Sequence, residues 1–249
     1  MSYALAQRDG VAEIRLACGK GNALNPASLA AIAAALEEAG RSGARGVVLT
    51  GFERFFSTGL DLVTLYELTP ARLDDFVRLF DRVMLQVFTF PRPVVAAING
   101  HAVAGGCILA LAADARVAAG GELRIGLNEI RLGLPFPASA LEIARHALVP
   151  DALAEVLYGG ELYSPEAARA RGLVDARADG DLLADATARC RRLAEAPAGA
   201  FETIKASLRA PALARVDASL DALRRAFVDA WFSPEARERI GAVRARLLA

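Results

Sequence analysis

The run Ile98-Asn99-Gly100-His101-Ala102-Val103-Ala104-Gly105-Gly106-Cys107-Ile108-Leu109-Ala110-Leu111 breaks a strand at Asn99-Gly100 and restarts as a helix behind Ala104-Gly105-Gly106. Upstream, Pro93-Val94-Val95-Ala96-Ala97-Ile98 is apolar and β-branched, and downstream Cys107 to Ala113 is apolar with good helix formers. Both flanks predict burial, so the chemistry falls to the turn. Glycines let a ligand approach the backbone closely, and the first N–H groups of a helix lack internal partners and sit at the positive end of its dipole. By itself such a turn fits a tight packing joint as well as a cradle for an oxyanion.

Working outward, Ala4–Arg8 and Val11–Leu16 read as a hairpin around Asp9-Gly10, Pro26–Gly40 as a helix and Gly46–Thr50 as a strand. Strand and helix alternate, as in a layered α/β protein. Leu73–Phe88 carries Phe76, Leu79, Phe80, Val83 and Val87 at helical spacing, which turns Asp74, Asp75, Arg78 and Arg82 towards water. Pro91 and Pro93 end that helix before the strand Val94–Ile98. Ala115–Ala118 and Glu122–Ile125 read as further strands around Gly120-Gly121. From Pro137 the pattern turns helical, with Ser164-Pro165 as an N-cap followed by proline at the first helical position. Beyond a soft boundary at Ala196-Pro197, residues 197–249 read as helices broken at Pro211 and Ser233-Pro234. Val216, Leu220, Leu223, Phe227 and Trp231 recur there every three or four residues, predicting packing on the body or on a second subunit.

The chain has 249 residues, enough for a full core, and its 29 basic residues balance 29 acidic ones. That balance leaves no electrostatic footprint for nucleic acid or an anionic membrane. Nearly all the positive charge is arginine, Lys20 and Lys205 being the only lysines. Pro93 to Ala113 is long and apolar, but Asn99, Gly100, His101, Gly105 and Gly106 in its middle exclude a spanning helix. Met1 to Leu5 has neither a charged nor an apolar leader pattern. Cys18, Cys107 and Cys190 form no CxxC and cannot all pair, which predicts a reducing cytoplasm.

A second turn of small residues follows Val47–Thr50, in Phe55-Phe56-Ser57-Thr58-Gly59-Leu60-Asp61-Leu62. Two such turns could place two N–H donors on one carbonyl oxygen, each worth ~2.7–4 kcal/mol in a transition state. Further on, Glu129 stands in Ile125-Gly126-Leu127-Asn128-Glu129-Ile130-Arg131-Leu132-Gly133-Leu134 among largely apolar neighbours. Two readings stay open for it: a desolvated proton carrier, or an exposed carboxylate paired with Arg131 or Arg124.

These three segments, with Asn22-Ala23-Leu24-Asn25 before them and Tyr163-Ser164-Pro165-Glu166-Ala167 through Gly172-Leu173-Val174-Asp175 after them, resemble the signature blocks of the enoyl-CoA hydratase/isomerase (crotonase) superfamily. Order and spacing agree over essentially the whole chain. The resemblance implies an α/β spiral of ββα repeats over residues 1–196 and a helical C-terminal region over 197–249 that mediates a homotrimer or a dimer of trimers. It also implies an acyl-CoA thioester as substrate, coenzyme A being part of that substrate, with neither metal nor separate cofactor. Carried over residue by residue, the N–H groups of Thr58 and Gly105 form the oxyanion hole, Glu129 is the acid or base, and Ala23 with Thr58, Gly59, Leu60, Asp61 and Leu62 lines the coenzyme A site. Thr58 is larger than the alanine or serine usual at its position.

Hydratases of the family that work with two glutamates carry one of them three residues after the oxyanion glycine, where this chain has Ile108. Hydration needs a held water and a delivered proton, work shared by two acids, whereas moving a double bond needs one shuttling base. FSTGLDL, AGGCILAL and IGLNEIRLGL are most similar to the Δ3-Δ2-enoyl-CoA isomerase branch, which implies an isomerase. Dienoyl-CoA isomerases resemble it less, having acids where Ile108 and Pro137 stand. His101 reads as a structural turn residue and His146 as a surface helix residue. The alternatives left open are a hydratase whose second acid is Glu142 or Asp61, and a non-catalytic acyl-CoA-binding homologue.

Overall fold

The computed structural model describes residues 3–248. The chain opens with the hairpin of β1 (Tyr3–Arg8) and β2 (Val11–Leu16), whose two turn residues, Asp9 and Gly10, both have positive φ. That is the twist a two-residue hairpin needs, and Asp-Gly supplies it. Helix α1 (Pro26–Arg41) starts at a capping box in which Asn25 and Ser28 satisfy each other's backbone N–H groups. It leads into β3 (Gly46–Thr50), buried along its whole length.

Three ββα-like units follow. Each places its first strand in a six-stranded sheet ordered β1-β2-β3-β5-β7-β9 and its second in a three-stranded sheet ordered β4-β6-β8. The pairs are β3 with β4 (Phe55–Ser57), β5 (Val94–Ile98) with β6 (His101–Val103), and β7 (Ala115–Ala118) with β8 (Ile125–Gly126). All strand pairs among these elements are parallel. The strand β9 (Ala176–Arg177) closes the larger sheet beside β7. This is the α/β spiral of ββα repeats that the signature blocks imply.

Two short strands, β4 and β6, go unseen in a reading by residue pattern, which runs β3 straight into the FSTGLDL turn and β5 straight into the Gly105 turn. The physical cause is crowding at the corners. A Cβ at Gly51 or Gly100 would strike the backbone of Phe55 or Arg54, so the chain folds sharply there and starts a new strand in the second sheet. Asn99 ties the two corners, its Oδ1 accepting from Gly51 N–H at 2.8 Å and its Nδ2 donating to Glu53 O at 3.0 Å. The expected strand Glu122–Ile125 shrinks to Ile125–Gly126, because Gly121 at φ 101° keeps Glu122 and Leu123 in a turn.

Helices α2 (Leu62–Tyr66), α3 (Pro70–Phe88) and α4 (Gly105–Leu111) pack on these sheets, α3 starting three residues before the expected Leu73 because Thr69 caps it. Asp74 of α3 does not face water as expected: Arg224 and Arg78 hold it at 2.7 and 2.8 Å. After a 3-10 turn at Glu129–Leu132 come α5 (Ala138–Ala147), α6 (Pro150–Gly159), α7 (Pro165–Ala170) and α8 (Leu182–Leu193).

The C-terminal segment consists of α9 (Ala198–Trp231) and α10 (Pro234–Leu248). The break expected at Pro211 does not occur. A proline inside a helix costs about 3 kcal/mol. Buried Arg209, Ala212 and Val216 on either side fix α9 against the body and offset that cost. The stop at Ser233-Pro234 is present as expected. Phe227, Trp231, Ala236 and Ile240 of these two helices join the main core.

Candidate active site

Two turns meet beside the start of α4. Gly59, at φ 82°, sits so close to the second turn that a Cβ there would lie 2.8 Å from Val103 O, 2.9 Å from Ala104 Cβ and 3.1 Å from Gly105 N. Glycine is required on both counts. On the opposite side Gly105 faces Leu24, Phe80 and Leu60, whose nearest carbons lie 3.2, 3.2 and 3.6 Å from where its Cβ would stand. The result is a backbone amide framed by three apolar side chains.

Ala104 carries the strain of this arrangement, with φ 51° and ψ −127° in a non-glycine residue. Such a conformation costs about 1–3 kcal/mol. It is held by Ala104 N–H donating to Gly126 O at 2.8 Å and by Ala104 O accepting from Ile108 N–H at 3.0 Å. The Gly105 N–H, next in the chain, donates to no protein acceptor among the described residues.

The partner amide is not the expected one. Thr58 N–H donates to Gly21 O at 2.9 Å, so it is spent on the protein and is not available to a ligand. Its neighbours are also engaged: Gly59 N–H donates to Ser57 Oγ at 3.2 Å and Asp61 N–H to Leu24 O at 2.9 Å. Between Thr58 and Asp61, Leu60 N–H alone has no acceptor among the described residues. The free amide expected at Thr58 therefore lies at Leu60 instead, and Thr58 stays at the exposed rim of the same turn.

The turn is braced from the Asn22 to Asn25 block. Asn22, at φ 48°, accepts from Cys18 N–H at 2.7 Å and donates to Leu16 O at 3.1 Å, while its own carbonyl accepts from Ser57 Oγ at 2.8 Å. Asp61 caps α2 through Thr64 N–H at 3.0 Å and accepts from Asn25 Nδ2, also at 3.0 Å. Against the upward push of burial, the hydrogen bonds from Asn25 and Thr64 hold its carboxyl below the usual range. Ala23 and Leu62 are half-buried at the two ends of this brace. A cavity of about 330 Å³ lined by Gly19, Lys20, Gly21, Asn22 and Phe52 opens beside it.

Glu129 begins the 3-10 turn three residues after Gly126, the residue that holds Ala104. It is 7% exposed, and its Oε2 has no hydrogen-bond partner among the described residues. Burial pushes its carboxyl up to about 8, and burial first, with the Glu129 charge second, raises the thiol of Cys107 in the first turn of α4. The alternative of a surface ion pair is gone, since Arg131 pairs with Glu161 instead. Behind this turn packs α10, with Ala236 against Gly133 and Arg239 donating to Arg131 O at 3.4 Å.

Around Glu129 the candidate second acids are absent or engaged. Ile108 is fully buried in the apolar core. Glu142 is tied to Arg215 at 2.5 Å and Arg145 at 3.6 Å, and Asp61 is a cap. One buried acid was missed by sequence reasoning: Asp81 of α3, 3% exposed, accepts from Ser139 N–H at 3.0 Å and so caps α5 from outside. Its position between Val77 and Met84 on the apolar stripe of α3 was a readable signal. His101 is the structural turn residue expected, its Nδ1 accepting from Arg124 N–H at 3.0 Å, and His146 lies on α5 with its ring edge to Phe88.

Comparison with known proteins agrees with this fold. A family model described as enoyl-CoA hydratase/isomerase matches residues 6–242. A probable enoyl-CoA hydratase of Mycobacterium tuberculosis is 31% identical over 205 residues, 82% of this chain and 78% of that protein. Mitochondrial enoyl-CoA delta isomerase 1 of Mus musculus is 37% identical over 133 residues, 53% of this chain and 46% of the mouse protein. Among solved structures, human mitochondrial delta3-delta2-enoyl-CoA isomerase superposes with a TM-score of 0.94 at 26% identity, covering 100% of this chain and 98% of that one. An enoyl-CoA hydratase/isomerase family protein from Pseudomonas syringae gives 0.85 at 30% identity over 91% and 98% of the two chains.

Proposed function

We propose that this chain, which belongs to the enoyl-CoA hydratase/isomerase family, isomerises 3-enoyl-CoA to 2-enoyl-CoA with Glu129 as its single shuttling base. The thioester carbonyl accepts from Leu60 N–H and Gly105 N–H. The Glu129 carboxylate takes a proton from C2, and the C–H electron pair becomes the C1–C2 double bond of an enolate whose charge rests on the thioester oxygen. Collapse of that enolate moves the C3–C4 double bond to C2–C3 as Glu129 returns the proton to C4. The substrate loses and gains one proton, so no co-reactant is needed.

The observation that carries this reading is a buried Glu129 whose Oε2 has no hydrogen-bond partner among the described residues, while the positions weighed for a second acid supply none: Ile108 is sealed in the core, Glu142 is held by arginines and Asp61 caps α2. The full-length overlay on the human isomerase supports it as well. Lys20, lining the cavity beside Gly21, offers a cation to the phosphates of coenzyme A. Assembly as a homotrimer or dimer of trimers is part of the proposal, supported by Ile130 and Tyr158, which are 43% and 76% exposed on the face beside the Glu129 turn.

Turnover of a 3-enoyl-CoA by wild type and by Glu129→Gln tests the proposal. Loss of at least a thousandfold in kcat is expected; an unchanged rate removes Glu129 from the chemistry. The hydratase reading is favoured by the names of several relatives. It predicts instead that wild type hydrates crotonyl-CoA efficiently. Binding of acyl-CoA without turnover of either substrate would leave the non-catalytic reading.

A further inference from the structure

A cavity of about 360 Å³ lies at the far end of α4 from Gly105, walled by Asp114, Arg116, Lys205 and Arg209 together with apolar Leu193 and Phe201. Helix α4 is seven residues long, so the two ends stand roughly 10 Å apart along its axis. The cavity is thus separate from the oxyanion turn.

Its charge is out of balance. Arg116, Lys205 and Arg209 are 7%, 6% and 4% exposed, yet the wall holds one carboxylate, Asp114. Asp114 accepts from Lys205 Nζ at 2.7 Å and from Arg209 Nη2 at 2.8 Å, and also from Val94 N–H at 2.8 Å. Arg116 is neutralised from outside the cavity by Asp175 at 2.7 Å. Among the described residues two buried nitrogens of this cluster have no hydrogen-bond partner, Arg116 Nε and Arg209 Nη1, the Arg209 guanidinium lying 4.1 Å over the Phe88 ring. Leaving charged donors unsatisfied in the interior is costly, and arginine presents them in a planar fork suited to an oxyanion.

We propose that this cavity binds a small molecule carrying an oxyanion, a carboxylate or a phosphate, on an apolar arm. The oxyanion pairs with the cationic wall formed by Lys205 and Arg209, with Arg116 beside them, and the arm lies against Phe201 and Leu193. The volume falls within the range of small-molecule pockets. Burial drives the Lys205 ammonium down to about 8, against the pull of Asp114. His146 on the same wall is held below its usual range by burial and by Arg209 and Arg116, and so adds a neutral hydrogen-bonding ring.

Titration calorimetry of the full-length, assembled protein with benzoate, its neutral isostere benzamide and inorganic phosphate tests this. Benzoate or phosphate should bind at least tenfold tighter than benzamide, the tighter of the two anions naming the headgroup, and Arg209→Gln should weaken that anion at least tenfold. Crystals of wild type soaked in 4-bromobenzoate locate the ligand without any substitution, through an anomalous bromine peak in the cavity and a carboxylate within hydrogen-bond reach of Arg209. Equal binding of benzoate, phosphate and benzamide, an affinity unchanged in Arg209→Gln, a bromine peak elsewhere, or a neighbouring subunit's side chain filling the cavity would each overturn the proposal.

Discussion

Removing the charge of Glu129 should stabilise the protein, and increasingly so as the pH rises. In the folded chain burial holds this carboxyl protonated up to about pH 8, while its ordinary value is 4.5. Below pH 4.5 both folded and unfolded chains carry the proton, and no penalty exists. Between the two values the folded chain keeps a proton that the unfolded chain has released, so stability falls as pH rises and levels off above 8. Over the interval from 4.5 to about 8, at about 1.36 kcal/mol per pH unit, the loss is roughly 5 kcal/mol. Glu129→Gln cannot ionise and escapes it, while every other titrating group cancels in the comparison with wild type. For a chain of this size 1 kcal/mol moves Tm by about 2–4 °C, so the variant should gain on wild type by roughly 10–20 °C between pH 4.5 and 9. Thermal unfolding followed by circular dichroism at several pH values reads this directly. A Tm difference that stays constant across the range refutes the desolvated carboxyl, and with it the reason for assigning Glu129 as base. The same titration has a kinetic face. At pH 7 about one free enzyme in ten holds the carboxylate, so kcat/KM for 3-enoyl-CoA should rise close to tenfold per pH unit up to about 8 and then level.

Three further outcomes follow from the packing. Gly59→Ala places a methyl 2.8 Å from Val103 O at a backbone φ of 82°; displacing Leu60 N–H from Gly105 N–H should lower kcat about 10²–10³-fold, the value of one oxyanion donor, as measured on a 3-enoyl-CoA. Ile108→Glu buries an acid at a position with no exposure, so Tm should drop by more than 5 °C while crotonyl-CoA hydration rises above the wild-type level; a drop in Tm without any gained hydration would show that a second acid at this position is not what separates the two chemistries. Asp114→Ala strips Lys205 and Arg209 of their shared carboxylate, and breaking a buried pair in this way costs about 3–5 kcal/mol, to be read as a lowered urea midpoint.

The strained Ala104 links stability to the proposed chemistry. Its positive φ costs about 1–3 kcal/mol, and the geometry persists because β8 grips it through Gly126 O while α4 grips it through Ile108 N–H. Those same two contacts fix the Gly105 amide and set Glu129 three residues along from the strand that grips it. One short stretch of second-sheet backbone therefore orients both the proposed donor and the proposed base.

Local residue chemistry alone determined much of this molecule. Asp9-Gly10 fixes the first hairpin, Asn25, Thr69 and Ser164 start helices, and the glycine turns at Gly59 and Gly105 with Glu129 downstream mark the proposed site. These features rest on φ preferences and side-chain capping within a few residues, which sequence encodes directly. What only the tertiary structure decided depends on partners far along the chain. Thr58 is excluded as a donor because the carbonyl of Gly21 takes its amide, and Leu60 is left free by the same pairing. Glu129 is a raised acid instead of half of a surface ion pair because Arg131 turns to Glu161 and α10 closes over the turn. Helix α9 runs through Pro211 because its flanks are buried against the body. A backbone amide looks the same in every residue, and whether it is free to hold an oxyanion is settled by which distant acceptor the fold brings to it.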